Sequence, residues 1–449
     1  MKTSDIIFSS FHIAGFKRSM SLVSRKWFVA ILVFGMAAHA LQAAETVASA
    51  EPFGIWRATV KNPSGHGVAF ALKISTAAAV SVGAPPGAVS LSGELVNGTD
   101  RLVSSGGWLD GQTLTLRYDF YDAVLTAKID GDQLQGSFAR QWEKQTLTRE
   151  LHATRNVPEK STGAGVVDLT GDWVLKVGEG AKQRLWRAAF RTTHGLASGT
   201  IIPVSGDWGS MNGGWTKEGA LTLNRFDGIN SRLLELSLQP DGTLSGFVDL
   251  GLFDPTRKVV AERMTEANRA LVADLPDPNT HTRMRQPGEP FRFRFPDLDG
   301  KEVAWDDARF RGKVVIVSIT GTWCPSCHEE TPFLQNLYAR LHKAGLEVVA
   351  LAFEYTGDAE RDRKQVRIFA DRHGVTYPML LAGSTEDAPE KLPQLENFGA
   401  YPTAIFIGRD GRVRRVHTGF EGKATGGRSV KLKAEIEALV RDLLAESGK

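Results

Sequence analysis

Between about Glu51 and Arg263, apolar and polar residues alternate with period two in short runs, as in LTLRYDFYDAVLTAKI (Leu114 to Ile129) and RLLELSLQ (Arg232 to Gln239). Successive side chains of an extended chain point to opposite faces, so this period predicts strands with one buried face. Turn pairs punctuate the runs, Asp130-Gly131 and Asp241-Gly242, where glycine accepts the positive φ of a tight hairpin. Helix-period stretches are hard to find here. The pattern predicts an all-β region of antiparallel strands, in barrel or sandwich form.

The same region repeats itself. GIWRATV (Gly54 to Val60) parallels GDWVLKV (Gly171 to Val177), SGGWLDGQTLTL (Ser105 to Leu116) parallels NGGWTKEGALTL (Asn212 to Leu223), and DGDQLQGSF (Asp130 to Phe138) parallels PDGTLSGFV (Pro240 to Val248). Their common order and an offset of about 110 residues predict two related β units, at 51–160 and 165–263. Each opens with Gly-x-Trp, which resembles the first strand of lipocalin-type barrels. A Trp packed at a barrel end explains that tripeptide without a ligand pocket. His66, His152 and His194 lack ligand spacing and read as ordinary polar residues. Asn97-Gly98-Thr99 fits a glycosylation acceptor but also a plain polar turn.

From about Thr265 the periodicity stops. Prolines at 276, 278, 287 and 290 mark 264–290 as a linker. Beyond it, in 291–449, the pattern becomes α/β. FRFRFPDLDGKEVAW (Phe291 to Trp305) alternates around Asp299-Gly300 and predicts a hairpin. KVVIVSI (Lys313 to Ile319) and LEVVALAF (Leu346 to Phe353) are continuous apolar strands of the kind buried on both faces. EETPFLQNLYARLHKA (Glu329 to Ala344) has helical spacing and stops at Gly345, QVRIFADRHG carries its own glycine cap, PTAIFIGRDGRVRRVHTGF (Pro402 to Phe420) turns at Asp410-Gly411, and KLKAEIEALVRDLL (Lys431 to Leu444) is an amphipathic closing helix. Hairpin, βαβ crossover, hairpin and helix together give an α/β sheet with one antiparallel edge.

Composition alters this picture at two points. A net charge of +3 over 449 residues, with no long basic cluster, gives no phosphate-binding stripe and argues against nucleic acid. Arg25 and Lys26 precede the apolar run Trp27 to Leu41, which gives way to small residues at LQAAE. Residues 1–44 therefore read as a secretory signal peptide or an N-terminal anchor; the run is short for a span of about 20 residues. Export, to the periplasm, is the expectation either way. An exported chain stapled by disulfides carries several pairs, whereas this one has only Cys324 and Cys327. A ring that small constrains little unfolded-chain entropy, so the pair is there for chemistry.

The chemistry follows from where the pair falls. In TGTWCPSCHEE (Thr320 to Glu330) a buried strand hands over to a helix N-terminus, whose free amides and dipole stabilise the thiolate that attacks disulfides. Cys324 is the candidate nucleophile, Pro325 suits the first helical position, and Cys327, one turn on, is placed to resolve a mixed disulfide. Residues from about Phe291 onward resemble thioredoxin-like thiol-disulfide oxidoreductases of the exported TlpA/ResA type, on GTWCPSCHEETP, KVVIVSI and YPTAIFIGRDG. The resemblance implies a thioredoxin-like fold and a cis bond at Tyr401-Pro402 facing the dithiol. It also implies substrate contacts at Trp323, Pro325, Tyr401 and Pro402, a helix kink at Pro332, and a proton-handling role for Glu330. A solvated first-turn glutamate is the alternative for Glu330. Ser318 stands where cytosolic thioredoxins hold a buried aspartate, which leaves proton transfer at Cys327 to Glu330 or water. Glu354 reaches the sheet's C-terminal edge, and His328 reads as an exposed helix residue.

The resemblance further implies no cofactor beyond the Cys324–Cys327 pair, protein thiols or disulfides as substrates, and a membrane electron donor. It tilts the direction toward reduction. CPSCH also satisfies the CxxCH of c-type haem attachment, but a strand ending at Trp323 and an intervening proline suit exchange better. The upstream Pro and Thr of peroxiredoxins are absent, since Val317 and Gly321 stand there. A third possibility makes the protein chiefly a binding module, with the β units capturing a ligand or partner.

Overall fold

A computed structural model describes residues 52–155, 167–251 and 256–446, all within one unit. The apolar run at Trp27 to Leu41 lies outside the described residues.

The first β unit comprises β1 (Gly54–Lys61), β2 (Gly67–Thr76), β3 (Val89–Asn97), β4 (Asp100–Val103), β5 (Gly106–Asp110), β6 (Thr113–Tyr118), β7 (Ala123–Asp130), β8 (Gln133–Trp142) and β9 (Gln145–Arg155). Each of β1, β2, β3, β5, β6, β7, β8 and β9 pairs antiparallel with the next, and β9 returns to β1, so the sheet closes; β4 is a short hairpin arm on β3. The second unit comprises β10 (Gly171–Val177), β11 (Arg184–Thr193), β12 (Leu196–Ile202), β13 (Met211–Trp215), β14 (Ala220–Phe226), β15 (Ser231–Leu238), β16 (Leu244–Asp249) and β17 (Arg257–Arg263), closed in the same up-and-down order. The repeat expected from sequence is therefore an eight-stranded barrel built twice. Closure removes the sheet edges that would otherwise invite aggregation.

Both Gly-x-Trp motifs do the same job. Trp56 and Trp173 are buried, donate Nε1–H to the carbonyls of Pro52 and Leu169, and lie under the guanidinium groups of Arg155 and Arg263 at 4.5 and 4.7 Å. Those arginines are their partners in β9 and β17. Side chains such as Trp56, Leu72, Leu114, Leu125 and Phe138 fill the first barrel. Asn97 is 2% exposed and exchanges two side-chain hydrogen bonds with the backbone of Phe226, so its side chain joins the barrels and is not a glycan acceptor. His66 also bridges them, through Asp249 at 2.8 Å.

The C-terminal domain has a five-stranded sheet ordered β23-β22-β21-β25-β26, with β21 (Val314–Thr320), β22 (Leu346–Glu354) and β23 (Met379–Ser384) parallel and the hairpin β25 (Thr403–Ile407) and β26 (Val413–Thr418) antiparallel. Every residue of β21 and β22 is buried. β23 was not expected; its PMLLAG context is short and broken by Pro378 and Gly383. Helices α2 (Pro325–Leu341), α3 (Ala359–His373) and α4 (Gly427–Ala445) cover one face through Leu334, Phe369 and Ile436. The small hairpin of β19 (Arg294–Pro296) and β20 (Glu302–Ala304), with Phe291, Phe293 and Phe310, covers the other.

The proline-bearing segment 264–290 is not a free tether. It carries the short helix α1 (Arg269–Ala273) and strand β18 (Arg283–Met284), which pairs with β24 (Leu395–Glu396). Pro278 accepts a bond from the Thr418 amide, and Thr282 is buried against it.

Candidate active site

Strand β21 ends at Thr320, a turn carries Thr322 and Trp323, and Cys324 caps α2 with extended backbone angles. Its Sγ accepts the Cys327 amide at 3.2 Å, and its carbonyl accepts the amides of Cys327 and His328. Pro325 occupies the first helical turn, where no amide hydrogen is needed. Cys324 and Cys327 form a disulfide with Cα atoms 5.2 Å apart. Cys324 is 4% and Cys327 0% exposed. The Tyr401–Pro402 bond is cis, and the Tyr401 carbonyl oxygen lies 3.4 Å from Cys324 Sγ. Trp323 donates Nε1–H to the Phe353 carbonyl and packs edge-on against Tyr401. Trp323, Cys324, Pro325, Cys327, Tyr401 and Pro402 thus lie together around the disulfide.

Two buried carboxyls flank this assembly. Glu330 is 2% exposed and accepts a hydrogen bond from Ser318 Oγ at 2.7 Å; burial pushes it up to about 7, against the opposing Ser318 bond. It is no solvated first-turn residue. Glu354 accepts the Thr322 amide at 2.8 Å and its hydroxyl at 2.7 Å, and burial again raises it to about 7. It fixes the turn that presents Trp323 and Cys324.

His328 departs from the sequence expectation of an exposed residue. Nε2–H donates to the Thr322 carbonyl, which leaves Nδ1 to accept from His373 Nε2, both at 2.8 Å. Phe120, Tyr121 and Phe369 surround the ring. Burial first, then His373 and Arg372, hold its pKa well below 6.5, so it is a neutral brace and not a cation beside the thiols.

Sequence reasoning missed what the barrels bring to the dithiol. The loop after β12 crosses α2: Ser326 donates to the Asp207 carbonyl, Asp207 Oδ1 accepts the Gly209 amide, and its Oδ2 accepts the Gly422 amide. Burial raises Asp207 to about 6. From the first barrel, Trp142 stacks on Tyr355 at 4.3 Å, and Tyr355 donates to the Gln141 carbonyl. Gly-Asp-Trp occurs both at 171–173 and at 206–208, but the recurrence marks no contact with the dithiol.

A helix-capping CxxC disulfide after the central strand of a mixed sheet, faced by a cis-proline, defines a thioredoxin-like domain. Residues 286–430 match the family model described as Redoxin. The thiol-disulfide oxidoreductase ResA of Geobacillus thermodenitrificans (strain NG80-2) is 31% identical over 127 residues, 28% of this chain and 66% of that protein. Thioredoxin-like protein YneN of Bacillus subtilis (strain 168) is 32% identical over 127 residues, 28% of this chain and 68% of that protein. A thioredoxin-family thiol:disulfide interchange protein from Chlorobium tepidum TLS, known from a crystal structure, shares 23% identity and a TM-score of 0.28, covering 36% of this chain and 99% of that one. The chain spans just under two thirds of the ResA relative's length. Through this C-terminal region the chain belongs to the thioredoxin-like family.

Proposed function

We propose that the protein is an exported thiol-disulfide oxidoreductase that works in the periplasm, more as a reductant than as an oxidant. The observation that carries this is Cys324 at a helix N-terminus, its sulfur facing the Cys327 amide at 3.2 Å, with a resolving cysteine one turn away. In the reduced form that amide and the helix dipole favour the thiolate at 324. The thiolate attacks one sulfur of a substrate disulfide and expels the other as a thiolate. Cys327 then loses its proton and attacks the Cys324 sulfur, which closes the internal disulfide and releases the second substrate thiolate. Glu330, one turn beyond Cys327 and titrating near neutrality, is the group assigned to take that proton. Trp323, Pro325, Tyr401 and Pro402 present the surface an incoming chain meets.

This cycle needs no cofactor beyond the cysteine pair. Both ring nitrogens of His328 are engaged within the protein, which favours exchange over haem ligation. Burial of Cys327 offers nothing to a second thiolate, consistent with a pair that readily gives up electrons. Substrates are protein disulfides, and a membrane dithiol donor resupplies the electrons. The apolar run at Trp27 to Leu41 supports export and a membrane tether. The among-described-residues helices include none long and apolar enough to cross a membrane.

The deciding measurement is the reduction potential of the pair, with the alkylation rate of Cys324 against pH. A potential below about −250 mV supports the reductant and one near −120 mV an oxidant. A Cys324 that alkylates like an ordinary thiol of pKa about 8.5 overturns the mechanism.

A further inference from the structure

The cleft in front of Cys324 is not built by the thioredoxin-like domain alone. It measures about 230 Å³, and its walls include Trp323 and Tyr401 of that domain, Trp142 of the first barrel, and Trp208 and Arg232 of the second. The backbone fixes this junction. Gly206 forms a parallel bridge with Phe420, and a Cβ at Gly206 would fall 2.4 Å from the Phe420 carbonyl oxygen. A Cβ on Gly419 would fall 2.4 Å from the Ser205 carbonyl carbon. Both glycines have positive φ. Two chains this close, at positions only glycine tolerates, set the second barrel's loop against the site.

Arg232 is the cationic side chain in the wall of this cleft, and it carries no ion pair among the described residues. Its Nε is buried without a hydrogen-bond partner, and among the described residues no carboxylate lies within ion-pair reach of its guanidinium. It is held instead over the Trp208 ring at 4.3 Å. The acids whose charge reaches it are Asp227 and Asp207. Asp227 is committed to Arg225 and to the amides of Ile229 and Asn230, and Asp207 to those of Gly209 and Gly422. Buried polar groups in folded proteins are nearly always paired, so an arginine nitrogen left over in the cleft that Cys324 also lines suits an anion.

We propose that the second barrel forms the substrate-recognition wall of the dithiol site, and that Arg232 is its specificity residue, selecting disulfides that carry a carboxylate beside the reacting sulfur. This rests on the exchange function proposed above. Pockets for drug-sized ligands run to about 300–1,000 Å³; this smaller cleft takes a cysteine and a neighbouring residue of an extended chain, or a small carboxylated disulfide. The covalent step is unchanged: Cys324 bonds to the sulfur nearer the carboxylate, the other leaves as a thiolate, and Cys327 releases the held half.

The test uses the full chain, reduced with dithiothreitol, and two extended peptide disulfides that differ only in an Asp or a Lys next to the cysteine. The wild type should favour the Asp peptide in kcat/KM by about tenfold. Arg232→Gln should erase the preference, Arg232→Lys should keep most of it, and Arg232→Glu should invert it, which a merely structural role would not do. Glutathione disulfide separates the sources: an equal loss on it in Arg232→Glu makes small carboxylated disulfides substrates, and a loss on the peptide alone restricts the wall to extended chains. Equal rates on both peptides in wild type and Arg232→Glu overturn the assignment and leave the exchange function standing. Failure of the wild type to reduce any disulfide overturns both. Should Arg232→Glu fold poorly, the ratio of Lys to Gln variants decides alone.

Discussion

The two barrels share a strand plan and a Trp–Arg closure, yet equivalent loops meet different partners. The loop after β3, which contains β4, turns toward the second barrel: Thr99 bonds Ser210 and Asp100 pairs with Arg225 at 2.6 Å. The matching loop after β12 turns toward the thioredoxin-like domain through Gly206 and Asp207. The loop between β6 and β7 grips α3, with Asp122 on Arg361 and the Asp119 carbonyl on Gln365. Its counterpart between β14 and β15 places Ile229 and Asn230 in the cleft at Cys324. Duplication supplied two similar frames, and the loops, with strand-end residues such as Trp142 and Arg232, set which partner each frame meets.

The largest effect should fall outside both frames. Cys324→Ser should lower disulfide exchange by at least about a thousandfold, while Cys327→Ser should accumulate a mixed disulfide visible on a non-reducing gel. Thermal unfolding of both variants should keep the barrels' transition unchanged. A barrel transition that shifted with either serine would show that the frames depend on the dithiol, contrary to the comparison.

Next come the two tryptophans. Trp56→Ala and Trp173→Ala should each cost about 3–5 kcal/mol, the range for a buried aromatic, and the two losses should agree closely because the rings share partners and depth. Denaturant unfolding measures both. A difference above about 2 kcal/mol would mean that one closure matters and the other only looks alike.

This equivalence was legible before the structure, because Gly-x-Trp, Gly-Gly-Trp and the Asp-Gly turns recur in order, and local signals of that kind survive in sequence. Strand β21 and the α2 start were legible for the same reason, whereas the cis bond at Tyr401-Pro402 came only from the family resemblance. What could not be read was contact between distant segments. Nothing around Asp207 or Arg232 points to Cys324, since their meeting depends on how the second barrel docks. His328 read as exposed because the aromatic residues that bury it, Phe120 and Tyr121, lie some two hundred positions upstream. Glu330 and Glu354 were candidates from their places on a helix and at a sheet edge, but their partners Ser318 and Thr322 emerged only with the fold.

A smaller effect belongs to Glu330 and depends on pH. Its folded-state pKa, about 7, lies above the ordinary 4.5. A raised acid stabilises the fold while neutral, so its contribution is complete below pH 4.5 and is lost as pH rises through about 7. Glu330→Gln should match the wild type near pH 4 and exceed it at pH 8 by up to about 3 kcal/mol, while slowing exchange. Barrel variants such as Trp56→Ala should show no such pH dependence in their stability loss. A Glu330→Gln variant with no greater advantage over the wild type at pH 8 than at pH 4 would place that carboxyl in water.

The smallest effect tests the loops against each other directly. Asp122 and Asp227 occupy the matching loops after β6 and β14, but Asp122 keeps 40% of its side chain exposed while Asp227 keeps 5%. Asp227→Ala strips the Ile229 and Asn230 amides and leaves Arg225 short of a buried partner, so it should cost about 3 kcal/mol. Asp122→Ala removes a pair that salt already screens and should cost under about 1 kcal/mol, vanishing in 1 M salt. Unfolding at low and high ionic strength separates the cases: the Asp227 loss should persist and the Asp122 loss should not. A large, salt-insensitive loss at Asp122 would mean that the first barrel is anchored to α3 as tightly as the second is to the dithiol loop, and the division of labour between the frames would have to be redrawn.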